Sequence, residues 1–115
     1  MQKTSVLTLS LTAAAAISAA RFVTAAGAIP AAGKHAIGVT TTEATAGELV
    51  AADVLGTTII EAGGVITANK AVQSDASGKA VTRTTGVALG IALEAASADG
   101  DRIEIFLVSS APDNT

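Results

Sequence analysis

The stretch with the most chemical promise is GAIPAAGKH, Gly27 to His35. Its glycines and lysine approach the phosphate-binding pattern GxxxxGK[ST]. In that pattern backbone N–H groups wrap the phosphates, the lysine meets the outer ones and a hydroxyl holds Mg²⁺. The chain departs from it where the chemistry is most demanding. The gap between Gly27 and Gly33 is one residue too long, and His35 stands where the hydroxyl belongs. Pro30 removes an N–H donor from the cradle, and no helix-forming run follows. A surface turn is expected here, not a nucleotide site.

The other candidate groups fare no better. His35 is the single histidine and the chain has no cysteine, so a metal centre would lack clustered ligands. Glu43 and Glu48 are near in sequence, but nothing aligns them with His35. A serine triad would need a nucleophile elbow GxSxG, and none is present. Asp99–Gly100–Asp101 suggests calcium only until the missing oxygen ligands are counted; Asp-Gly is also a common hairpin turn. We therefore expect no catalytic, cofactor-binding or metal-binding residues, no cofactor and no enzyme activity. The net charge is −3, and the only aromatics are Phe22 and Phe106. With no basic run and no stacking platform, nucleic acid is not an expected partner. No apolar run is long enough to span a bilayer, and no membrane partner is expected.

What remains is architecture. A chain of 115 residues makes one domain, which should bury roughly two thirds of its unfolded surface. Half of the residues are apolar, but many of these are alanines, which gain little on burial. Such a chain benefits from burying surface against copies of itself or a partner, which points to an oligomer. Turn signals recur at Ala31–Lys34, Gly47, Gly56, Ala62–Gly64, Asp75–Lys79 and Ser97–Asp101, separated by short runs rich in Val, Ile and Thr. This is an all-β pattern: a small barrel or sandwich of short antiparallel strands. The final hairpin is the clearest. Val87, Leu89, Ile91 and Leu93 should form one apolar face, and Ile103, Ile105 and Leu107 the other strand's share of it. Phe106 and Val108 fall on the opposite face, which hints that this face is covered as well. AVQSDASGKAVT reads as a second hairpin with Ser-Gly at its tip. Ala36–Leu55 and Ala88–Leu107 share a pattern of Ala-apolar-Gly-apolar, an acid, glycine beside an acid, then alternating apolars. They suggest related halves.

The N-terminal run SVLTLSLTAAAAISAAR poses its own question. A lysine ahead of it and small residues at its end give it the layout of a signal peptide. Yet Leu7, Leu9 and Leu11 alternate with Thr8, Ser10 and Thr12, a period of two that belongs to a strand and that a signal sequence does not need. We read it as a strand. Ala13–Ala20 could continue as a short helix or as an extended arm.

Several segments resemble the phage capsid cement, or head decoration, family of tailed phages and prophages. GVALGIALEAASADGDRIEIFL is similar to its closing segment, AGELVAADVLGTTIIEAGGVITANKAVQSDASGKAV to its middle, and LTLSLTAAAAISAARFV to its N-terminal strand. The resemblance implies a single decoration domain over residues 1–115, with an N-terminal strand or arm at 1–26 and a β core at 27–115. It implies a structural virion protein that binds the outer surface of a capsid and stabilises the shell. The partners would be the major capsid protein and further copies of the chain, as dimer or trimer, with assembly in the host cytoplasm. The contact residues expected are Val6, Leu7, Leu9, Leu11, Ile17 and Phe22, and deletion through Ala20 should then remove binding and spare the core. Similar sequences sometimes carry a recombinase label, for which the failed phosphate loop supplies no residues. The alternative is a secreted or periplasmic β-domain whose residues 1–20 are cleaved.

Overall fold

A computed structural model describes residues 3–108; residues 1–2 and 109–115, the extremes of the expected domain, lie outside the described residues. The strands are β1 (Ser5–Thr12), β2 (Phe22–Val23), β3 (Gly38–Thr40), β4 (Leu49–Glu61), β5 (Ala71–Ser74), β6 (Ala80–Thr82), β7 (Gly90–Ala92) and β8 (Arg102–Leu107). All strand pairs are antiparallel, in the order β2-β3-β4-β8-β7-β5-β6, with β1 also on β4. The two ends of this path meet. Phe22 N–H donates to Gly78 O, in the β5–β6 turn, at 2.7 Å. The sheet is thereby nearly closed into a small barrel, and no helix occurs among the described residues.

The internal repeat is visible strand by strand. Val39↔Asp53 and Thr40↔Ala52 between β3 and β4 recur as Ile91↔Phe106 and Ala92↔Ile105 between β7 and β8. Phe22↔Val39 between β2 and β3 recurs as Ala71↔Ile91 between β5 and β7. Leu11↔Val50 between β1 and β4 recurs as Ile60↔Ile103 between β4 and β8. The isolated bridge Ile17↔Ala44 recurs as Ile66↔Ala96. Ala20 and Asn69, the described non-glycine residues with positive φ, hold equivalent places and donate their N–H groups to the equivalent carbonyls of Thr40 and Ala92. Even the turns match. Glu48 Oε1 accepts from the N–H and hydroxyl of Thr45, and Asp101 Oδ2 from those of Ser97. The duplication thus runs from β1 to β8, well beyond the segments in which the sequence shows it.

The long strand β4 serves both halves, pairing with β1 and β3 through its first part and with β8 through its second. Gly56, expected as a turn, lies inside it instead. Its φ is +95°, and a Cβ there would sit 2.3 Å from the carbonyl oxygen of Thr4, so only glycine fits. The β1–β4 register shifts between Ser5 and Thr8, opposite this point, as at a bulge that bends a strand.

The final hairpin corrects one expected face. Ile103, Ile105 and Leu107 are buried as anticipated, but on β7 the inward residues are Gly90 and Ala92, while Ile91 is half-buried on the outer side and Leu93 is exposed. The reason is space. Gly90 lies opposite Leu107 and Ala92 opposite Ile105, and a Cβ on Gly90 would come within 3.0 Å of the Ile105 side chain. A narrow barrel alternates small with large residues across its interior. Ala13–Ala20 is not helical. Ala13, Ile17 and Ala20 are buried, and their backbone bonds go to Glu48, Ala44 and Thr40.

Candidate functional site

Several of the candidate groups, Gly33, Glu48, Asp99 and Asp101, make structural bonds. In the phosphate-like loop Gly33 N–H donates to Ser74 O at 2.8 Å, Pro30 is buried, and no helix follows. A cradle whose amide is already spent on the β5 strand cannot wrap an anion. His35 is half-buried in the same loop. Asp101 closes its own turn through Ser97 and Ala98. Hydrogen bonds from the Ser97 N–H and hydroxyl hold its carboxyl below the usual range. Among the described residues no three histidine or acidic side chains are grouped to hold a metal. A groove is lined in part by Lys3, Ala20, Thr40, Thr58 and Arg102; the Thr58 hydroxyl in it donates to the buried Asp53 carboxylate, a bond that belongs to the brace of β4.

Two polar clusters fix β1 and the barrel seam. Asp53 is 1% exposed. Its Oδ1 accepts from Thr8 Oγ1 and its Oδ2 from Thr58 Oγ1, each at 2.8 Å, and Lys3 Nζ lies 3.0 Å from Oδ2. Burial opposes its charge, but the bonds from Lys3, Thr58 and Thr8 together outweigh burial and lower its pKa. The carboxylate ties Lys3, just ahead of β1, and Thr8, midway along it, to Asp53 and Thr58 on either side of the Gly56 bend. At the seam, Glu61 is shared by Arg21 at 3.4 Å and Lys79 at 3.1 Å, and Lys79 also reaches Asp99 at 3.0 Å. This links the start of β2, the end of β4, and the turns before β6 and β8. These acids and bases neutralise one another structurally.

Apart from Arg21 Nε, buried without a hydrogen-bond partner, the notable unpartnered surface is apolar and outward. Val6 is 74% exposed, and Leu7 is exposed directly opposite the exposed Leu55 of β4; Leu49 is 70% exposed. Of the residues singled out in the sequence, Val6 and Leu7 therefore lie on the surface. Leu9 and Leu11 are half-buried, with Leu11 packed on a core cluster. Ile17 and Phe22 are inside the core. Deletion through Ala20 would uncover that core, because Ala13, Ile17 and Ala20 belong to it. Leu49 and Leu55 were missed by sequence reasoning. Their signal was alternation across β4, which the glycine at 56 had disguised as a turn.

The fold is shared with a known phage protein. The N base of the head fibre gp8.5 of bacteriophage phi29 matches with a TM-score of 0.74 at 19% identity, over 89% of this chain and 93% of that one. At that identity the likeness is one of fold. No curated protein matches the chain. The family model described as phage cement protein matches residues 1–107, a span that includes β1, both halves of the barrel and every exposed apolar pair just described. The chain belongs to the phage cement protein family, and its role is that of a capsid-associated structural protein.

Proposed function

We propose that this protein binds the outer surface of an assembled phage shell and stabilises it, with β1 and its β4 partner as the contact. The family match over residues 1–107 carries the reading. The exposed Val6, Leu7, Leu49 and Leu55 supply apolar surface along one strand pair; Leu9 and Leu11 are half-buried, and Leu11, packed on the core cluster that holds Ile17, fixes the pair in place, while Phe22 lies in the other cluster. In this reading residues 1–26 provide the contact strand and 27–115 most of the barrel of a single domain. The partner is the major capsid protein, met by edge pairing or by side-chain packing on β1. A net charge of −3 suits the outer face, away from packaged nucleic acid. Binding only the assembled shell stabilises it by mass action. Copies joined as a dimer or trimer would add avidity. The role is mechanical and non-catalytic, with assembly in the host cytoplasm and the N-terminal strand retained.

Mass spectrometry of purified particles tests this reading. Copies stoichiometric with the shell protein, carrying peptides from before Arg21, are the expected result. Absence from particles, with a mature N-terminus near Arg21 in a secreted fraction, would replace it with the secreted-domain alternative. In a co-sedimentation assay Val6→Ser with Leu7→Ser should weaken particle binding at least about tenfold, with the melting temperature nearly unchanged.

A further inference from the structure

The duplication leaves one surface without the cover that its twin has. In the first half, the outward row Phe22–Val39–Asp53 runs across β2, β3 and β4. It is fully buried: Phe22 and Val39, with Ala36, insert into a core cluster whose other members all come from β4 onward, and Asp53 is roofed by Lys3 and Thr58. The cover over Phe22 and Val39 is thus the second copy of the same fold unit, while Lys3, ahead of β1, shares the cover of Asp53. The equivalent row in the second half is Ala71–Ile91–Phe106 across β5, β7 and β8. Here Ala71 and Ile91 are half-buried and Phe106 is 47% exposed. Leu93 and Val108, two residues along from Ile91 and Phe106, extend the ladder on the same side and are exposed too. Where the first half places a carboxylate, Asp53, the second places the larger of the chain's hydrophobic choices, a phenylalanine, facing solvent.

We infer that the Ile91–Leu93–Phe106–Val108 face is the self-association surface of the protein, and that its occupant is a second copy of this chain. Within the molecule the Phe22 and Val39 positions of this row, equivalent to Ala71 and Ile91, are covered by a like repeat, which makes a second copy of the chain the matching cover. Phe106 lies between Ile91 and Thr57, with Val108 and Glu104 along its own strand, and an exposed aromatic beside aliphatic residues with a polar margin is also the composition of an interface centre. The inference rests on the oligomeric reading above and names the face that serves it. It leaves β1, with Val6 and Leu7, free for the shell.

Sedimentation velocity on the full chain over a wide concentration range tests it without any particle present. The wild type should show concentration-dependent association. Phe106→Glu should raise the dissociation constant about thirtyfold or more, and Phe106→Leu should largely retain association. Leu93→Asn is the second variant, expected to weaken association with an unchanged melting temperature. A wild type that stays monomeric at millimolar concentration would overturn the inference. So would association untouched by both Phe106→Glu and Leu93→Asn. Particle co-sedimentation separates the two readings: a chain that self-associates through Phe106 but never binds shells overturns the proposed function alone.

Discussion

The two halves of this barrel are built to one plan and filled differently. Every member of the smaller core cluster has a counterpart in the larger: Ala13 with Ala62, Ile17 with Ile66, Val23 with Val72, Ala44 with Ala96, Val50 with Ile103, Ala52 with Ile105. The substitutions all enlarge the second half. Where Leu11, Ile37 and Val54 are only half-buried, the equivalent Ile60, Leu89 and Leu107 are in the core. The first half makes up the deficit by placing Phe22 and Val39 in its twin's interior. A shared scaffold has been divided into a half with the larger core and a half that leans on it, and the leaning half holds β1 with the exposed Val6 and Leu7.

The largest expected effect tests this division directly. Ile60→Ala should cost about 2–5 kcal/mol, while the equivalent Leu11→Ala, half-buried, should cost about 1 kcal/mol. Urea unfolding of the two variants measures both; equal losses would break the asymmetry. The next test concerns the group that has no twin, Asp53, whose place Phe106 takes in the second half. Its folded pKa lies below the unfolded value of about 3.9. Its stabilisation is therefore complete above that pH and is lost as pH falls through the folded pKa. Asp53→Asn should lower stability at neutral pH by about 1–3 kcal/mol and flatten the acid limb of a stability–pH curve. The smallest effect sharpens the match between Ala20 and Asn69. Both are left-handed, but alanine tolerates that conformation less well than asparagine. Ala20→Gly should gain about 0.5 kcal/mol, read as a rise in melting temperature, whereas Asn69→Gly should change little.

Much of the plan was legible in the residues, and the failures have physical causes. The alternation of Leu7, Leu9 and Leu11 marks β1, the Asp75–Lys79 turn marks the β5–β6 hairpin, and the segments 36–55 and 88–107 expose the repeat. The first part of the duplication was overlooked although Ala13, Ile17 and Val23 recur as Ala62, Ile66 and Val72: the matches are sparse, in small and aliphatic residues common throughout the chain, and the position of Phe22 is taken by Ala71. The face of β7 was misread because periodicity counts Ile91 and Leu93 as inward, while the barrel has room only for Gly90 and Ala92 between Ile105 and Leu107. Gly56 looked like a turn because a local pattern cannot distinguish a reversal from a bend within a strand that continues. The destination of Phe22 depended on which half lay beneath it, which is a matter of closure.

The bent strand β4 has a mechanical consequence. It is paired along its first part to β1 and along its second to β8, with Asp53 bracing the bend from Thr8 and Lys3 on one side and from Thr58 on the other. A pull transmitted through β1 along its own axis loads the β1–β4 ladder in shear, where the bonds resist together, and passes through β4 into the half with the larger core. Strain arriving at one side of the molecule is thus shared by both halves, and slippage of β1 would require the carboxylate brace and the ladder to yield at the same moment.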